Sequence, residues 1–113
     1  MKYPAYFYTD AEGKEPVYEY ITRLPLGVRA KTYALISYLQ DHGPAARRPQ
    51  VDYLGPDTKL YELRPVPHRI LYCYVDDGRI ILLHAFRKTT ARVPQSEIRI
   101  ALDRKADYLR RTT

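Results

Sequence analysis

Cationic side chains at strand spacing are the residues of this chain best equipped for chemistry. Arg64 ends the segment "YELR" (61–64), Arg69 sits near the start of "HRILYCYV" (68–75), and Arg87 and Lys88 end "RIILLHAFRK" (79–88). In extended backbone, alternate side chains share a face. Glu62 then lies beside Arg64, and Tyr61 beside Leu63; Arg69 aligns with Leu71, Cys73 and Val75. Leu82, His84, Phe86 and Lys88 form the corresponding row of the last segment. Antiparallel pairing of the three segments brings Arg64, Arg69, Arg87 and Lys88 to one rim, with Arg92 on the loop beyond. Fixed cations at one rim suit a phosphodiester. The competing reading is structural, because an arginine in an apolar strand is costly unless solvated or paired. Glu62 is placed to pair with Arg64 or Arg69, and His84 reads first as a hydrogen-bonded sheet residue.

Other chemistries find little support. His42, His68 and His84 lie far apart and Cys73 is the single cysteine, so neither a metal site nor a disulfide is expected. The neighbours of Cys73 mark it as a small core filler. No glycine-rich phosphate loop and no serine elbow occur, and no cofactor is implied.

The elements that must position these residues follow from periodicity. Residues 3–8 are short, aromatic and end near a turn, as a strand does. Pro16 suits a first helical turn, and Val17, Tyr20, Ile21 and Leu24 recur along one helical face. A second helix is expected over 28–42, with Val28, Leu35, Ile36 and Leu39 as its apolar stripe and Gly43-Pro44 as its stop. The two read as a helical hairpin. Residues 43–57 read as a loop punctuated by proline and glycine. Three strands follow, over 59–65, 68–76 and 79–88, with a turn around Val66-Pro67 and a tight hairpin at Asp77-Gly78. From Pro94 the pattern is helical, with Ile98, Ala101, Leu102 and Leu109 on one face. The order β, α, α, β, β, β, α argues for an α+β fold with an antiparallel sheet.

Composition fits this picture. A length of 113 residues suits one domain, and 45% hydrophobic with 28% charged residues is a globular balance. Twelve tyrosines stand against two phenylalanines and no tryptophan, and tyrosine rings can stack on bases. Residues 1–58 hold seven Lys/Arg and seven Asp/Glu, whereas residues 59–113 hold twelve against six and carry the whole net charge of +6. That asymmetry points to an anionic partner for the C-terminal half. Neither a leader peptide nor a membrane-length apolar run is visible, so the cytoplasm is the expected location.

At these segments the chain resembles the RelE/ParE toxin superfamily, in its HigB-like, phage-related branch. The resemblance rests on "YELR" (61–64), "HRILY" (68–72), "DGRIILLHAFRKTTARVP" (77–94), the helix "SEIRIALDRKADYLRR" (96–111) and "FYTDAEGKEPVYEYITRLP" (7–25). It implies a compact RelE-like domain and the toxin of a type II toxin–antitoxin pair, whose antitoxin carries a helix-turn-helix. Such toxins commonly enter the ribosomal A site and cut mRNA without metal, by attack of a 2′-OH on the adjacent phosphate. Related members inhibit DNA gyrase instead, and a non-toxic basic binding module is a third possibility.

Residue by residue, the resemblance makes Arg69 the strand arginine that meets the scissile phosphate and Arg64 the nearby "LR" arginine. Lys88, His84 and Phe86 match the pattern "HGFxKKTxKTP", in which Arg92 replaces the later lysine. Ala85 stands where glycine is usual and Thr89 where a second lysine is usual. The implied reaction needs a base, stabilisation of the phosphorane charge and an acid. Guanidinium groups can supply the second and a lysine the third, with Glu62 and Tyr61 as candidates for the base. Arg87, Arg92, Tyr61, Phe86 and His84 are expected to add RNA contacts.

Overall fold

Two neighbouring strands that are apolar on both faces dictate the layering. In β4 (His68–Val75) and β5 (Arg79–Arg87), Ile70, Tyr72, Ile80 and Leu82 belong to one buried cluster, and Leu71, Cys73, Ile81 and Leu83 to another. Such strands need a covering layer on each side. The computed structural model, which describes residues 2–76 and 78–112, has both layers. Helices α1 (Pro16–Thr22) and α2 (Leu26–His42) cover the first face through Val17, Ile21, Ile36 and Leu39, with Leu24 of the link between them. Helix α3 (Gln95–Thr112) covers the second through Ala101, with Ile98, Leu102 and Tyr108 around it.

The five-stranded sheet has the order β1-β5-β4-β3-β2, with β1 at Ala5–Phe7, β2 at Val51–Tyr53 and β3 at Tyr61–Leu63. Strands β2 to β5 pair antiparallel, as expected for an α+β fold with a helical hairpin and a C-terminal helix. Strand β1 instead runs parallel to β5, with Ala5 opposite Ile80. A long stretch of chain separates the two, so no hairpin turn imposes an antiparallel direction.

Strand β2 lies within residues 43–57, where a loop was expected. Three residues give little alternation, and Pro49 and Gly55-Pro56 flank them with turn signals. A second difference is a β-bulge. Leu71 faces His84 but Tyr72 faces Leu82, which leaves Leu83 as an extra residue in β5. The bulge reverses the alternation. Leu82 therefore packs under α1 and α2, while His84 and Phe86 lie on the α3 side, and the expected single row of Leu82, His84, Phe86 and Lys88 is broken.

Smaller differences follow local chemistry. Helix α2 begins at Leu26 rather than Val28. On α3, Leu109 is 40% exposed and Tyr108 takes the packed position. In the β4–β5 hairpin, Val75 pairs with Arg79, and Asp76 (φ +50°) and Gly78 (φ +109°) adopt left-handed backbone. Asp77, the other half of the expected Asp77-Gly78 turn, lies outside the described residues. Among the described residues no helix is long and apolar enough to cross a membrane.

Gly43 ends α2 with φ +52°, and a Cβ there would overlap the ring of Tyr3. The amides of Lys2 and Tyr3 both donate to the carbonyl of Gln40, at 3.1 and 3.0 Å, so the ring cannot easily withdraw. Gly43→Ala is expected to lower stability by about 2 kcal/mol through combined backbone strain and overlap. Urea denaturation measures this, and adding Tyr3→Ala should return part of the loss. An unchanged urea midpoint for Gly43→Ala would contradict it.

Candidate functional site

Glu62 organises the cationic end of the sheet. It points to the α3 side of β3, opposite Leu71, and is 1% exposed. A carboxylate buried alone is prohibitively costly, so it must be paired. Arg69 on β4 brings Nε to 3.3 Å from Oε2, and Arg64 brings Nε to 3.5 Å from Oε1. Arg69 also donates from Nη1 to the carbonyl of His68 at 2.9 Å. Burial lowers the pKa of Arg69, and the nearby Glu62 opposes that shift. The two arginines differ in access: the Arg69 side chain is 10% exposed and that of Arg64 23%. Arg69 supports the carboxylate from behind, whereas Arg64 faces outward.

In front of this trio lies a cleft of about 410 Å³. Glu62 and Arg64 line it together with Lys88, Arg92, Arg48 and Asp52, and Ile98 of α3 contributes to an apolar wall. Lys88 is anchored by its backbone amide, which donates to the carbonyl of Pro67 at 3.0 Å. Arg92 sits on the following loop, where the Thr90 hydroxyl donates to the Arg92 carbonyl at 2.5 Å. Arg48 and Asp52 form an ion pair at 2.7 Å, and the hydrogen bond from Arg48 holds the Asp52 carboxyl below its ordinary pKa. Among the described residues, neither Lys88 nor Arg92 has an ion-pair partner. The cleft therefore carries uncompensated positive charge at Lys88 and Arg92.

Not every expected member of the rim is here. Arg69 does not line the cleft. Arg87 is opposite His68 on the α1 side, where its charge acts on Tyr20 and His68. Tyr61 faces the α2 side, packed on Tyr72. Both placements have one cause: neighbours in a strand point to opposite sides, so Arg87 cannot join Lys88, nor Tyr61 join Glu62. Phe86 is buried beneath α3, and His84 stacks on it with ring centroids 5.5 Å apart. Arg48 and Asp52 escape the sequence pattern because Asp52 lies in the three-residue strand β2 and Arg48 just before it. The alternation of Val51 and Tyr53 around Asp52 was the available signal.

His84 ties β5 to α3. Its Nε2 lies 2.6 Å from Oε1 of Glu97, and its Nδ1 lies 3.3 Å from Nη1 of Arg104. Arginine can only donate, so Nδ1 accepts and Nε2 carries the proton given to Glu97. That is a neutral imidazole. Its pKa is lowered chiefly by burial, against the pull of Glu97. His68, with Nδ1 2.7 Å from the Tyr20 hydroxyl, is lowered by burial and then by Arg87 and Arg69.

Both histidines thus bind protons less readily folded than unfolded. Just below the ordinary histidine pKa of about 6.5, the unfolded chain holds more protons, so stability is lost as the pH falls. The urea midpoint is expected to be level from pH 7 to 8 and to drop between pH 7 and 5, with a smaller drop in His68→Gln. A midpoint that stays flat, or rises on acidification, would contradict these environments.

The arrangement suits an anion with several oxygens. It offers a planar guanidinium, an ammonium and a loop guanidinium, held in part by backbone contacts and a buried carboxylate. Among the described residues no cluster of three His, Cys, Asp or Glu side chains could hold a metal ion. No curated protein matches the chain significantly. The family model "Phage derived protein Gp49-like (DUF891)" matches residues 19–106, a span that includes β2 to β5, the cleft and most of α3. With that match across most of its length, the chain belongs to the Gp49-like phage-derived family, a RelE/toxin-like family related to toxin–antitoxin systems.

Proposed function

We propose that the protein is the toxin of a type II toxin–antitoxin pair, in the HigB-like branch, and that it cuts translated mRNA in the ribosomal A site. One observation carries this reading: Arg64, Lys88 and Arg92 share a cleft whose two carboxylates, Glu62 and Asp52, pair elsewhere, so that among the described residues Lys88 and Arg92 have no ion-pair partner. In the proposed reaction the 2′-OH attacks the adjacent phosphorus, the O2′–P bond forms and the P–O5′ bond breaks. The products are a 2′,3′-cyclic phosphate and a 5′-OH. Arg64 and Arg92 stabilise the charge on the phosphorane, and Lys88 protonates the leaving O5′. Glu62, through the oxygen shared with Arg64, is the proposed acceptor of the 2′-OH proton. Arg69 acts on the reaction through Glu62. The proposed partner is an antitoxin with a helix-turn-helix.

The pairing of both cleft carboxylates with arginines favours a second reading, a gyrase-inhibiting toxin that breaks no RNA bond. Induction in bacteria separates the two. Mapped 5′ ends at codon-phased positions within translated messages are the expected result. Intact messages with lost supercoiling and gyrase-dependent DNA breaks would replace the nuclease by the gyrase inhibitor.

A further inference from the structure

Across β2 from the cationic cleft lies a second cavity that the proposed chemistry does not use. It measures about 520 Å³, and Tyr53, Tyr61, Arg47, Arg48 and Asp52 are among its walls. Clefts that hold small ligands run from roughly 300 to 1,000 Å³, so a nucleobase is not excluded by size.

The cavity wall is built from the core outward. Tyr53 pairs with Tyr61 across β2 and β3, and Tyr61 pairs with Tyr72 across β3 and β4. Ring centroids are 4.7 Å apart in the first pair and 5.5 Å in the second. Tyr72 is 0% exposed and Tyr53 is 45% exposed, so the row begins in the core and ends at solvent. An open ring backed by buried rings loses little freedom when a base stacks on it.

An exposed tyrosine on an edge strand is ordinarily packing and nothing more. The position of this one relative to the cleft says more. Arg48 and Asp52 line both cavities, which makes β2 the ridge between them. A strand whose phosphate lies by Arg64 and Lys88 meets Arg48 at the crest, where that side chain is 70% exposed. Beyond the crest lies the ring of Tyr53. Cations that hold phosphates beside an aromatic that holds a base are the two parts of a single-strand binding groove.

We propose that Tyr53, backed by Tyr61, stacks a base of the RNA strand flanking the phosphate held in the cationic cleft, with Arg48 bridging the two cavities. This rests on the RNA reading of that cleft and adds a subsite to it. Stacking of this kind tolerates any base, so the subsite holds the strand in register without selecting its sequence.

The chain has no tryptophan, so Tyr53→Trp introduces a sole indole reporter. The probe is a short fluorescein-labelled oligoribonucleotide and a set of copies, each with one abasic position. Tyr53→Trp is expected to keep wild-type affinity, with its indole emission quenched on RNA addition. Tyr53→Ala should bind roughly ten-fold more weakly. One abasic position should weaken wild type and Tyr53→Trp but leave Tyr53→Ala unchanged.

Lys88→Ala serves as the control for the cleft, and should lower the log–log salt slope by roughly 0.7. If Lys88→Ala weakens binding while Tyr53→Ala and the indole emission do not respond, the stacking subsite is overturned and the cleft stands. If RNA fails to bind, or Lys88→Ala binds unchanged, both readings fall. If Tyr53→Ala fails to fold, the Tyr53→Trp emission and the abasic series on wild type decide the matter. Loss of antitoxin binding with RNA binding intact would reassign the cavity to a protein partner.

Discussion

Arg69→Ala is expected to destabilise the protein strongly, by about 3 kcal/mol, rather than merely disarm it. Glu62 is 1% exposed, and among the described residues its Oε2 is balanced by the Arg69 guanidinium at 3.3 Å. Breaking a buried pair by removing one partner costs about 3–5 kcal/mol, and the lower end applies here because Arg64 still pairs with Oε1 at 3.5 Å. Native domains are stable by only about 5–15 kcal/mol in total. Replacing both partners, as in Arg69→Met with Glu62→Leu, should return most of the loss, since an apolar pair of similar volume avoids the desolvation cost. Arg64→Ala should cost only about 1 kcal/mol, because Arg64 is partly solvated and leaves Glu62 with Arg69. Urea midpoints of the four proteins measure these differences. Equal losses for Arg64→Ala and Arg69→Ala would erase the distinction between the supporting and the outward arginine. Loss of toxicity in Arg69→Ala therefore says nothing about phosphate contact unless folding is measured alongside.

The second large effect is on cleavage with the fold intact. Lys88→Ala should reduce RNA cleavage about 10²–10³-fold, the usual loss when one preorganised charge-stabilising group is removed. Its side chain has no ion-pair partner among the described residues, and its anchoring contact to Pro67 is through the backbone. The urea midpoint should therefore not move by more than about 0.5 kcal/mol equivalent. Arg64→Ala should cause a comparable loss of rate. The double variant should fall short of the product of the two, because groups that act on one transition state are not additive. Lys88→Arg keeps the charge but offers no transferable proton at neutral pH, so it should recover binding more than rate. Single-turnover cleavage, with binding measured in parallel, separates these contributions.

Much of the fold was readable because its strongest signals are long-range in effect but local in sequence. Val17 and Ile21, Ile36 and Leu39, and the apolar runs of β4 and β5 all announce their element by spacing alone. The antiparallel order of β3, β4 and β5 follows from short turns, and the pairing of Glu62 with Arg64 and Arg69 follows from that order. What spacing could not show is where alternation resets. The bulge at Leu83 moves His84 relative to Leu82, and it is created by strand pairing rather than by any residue with a turn signal. Strand β2 is visible only through its partner β3, since Val51 finds Leu63 and Tyr53 finds Tyr61.

The site shows the same division. Gathering Arg64, Arg69, Arg87 and Lys88 at one rim treats nearness along the strand as nearness in space. Sheet geometry separates Arg87 from Lys88 and Tyr61 from Glu62 by placing the backbone between them. Burial separates Arg69 from Arg64, although both touch the same carboxylate. Depth in the fold, unlike face, has no periodic signature.

The central claim is that the cleft at Arg64, Lys88 and Arg92 performs phosphodiester chemistry. Ribosomes programmed with a defined mRNA, incubated with purified wild-type protein or with folded Lys88→Ala, test it most directly. Wild type should cut at the A-site codon and leave a 5′-OH on the downstream fragment, with a rate at least about a hundred-fold lower for Lys88→Ala. An uncut message with the wild-type protein, or the same cut made equally fast by the folded Lys88→Ala variant, would contradict it.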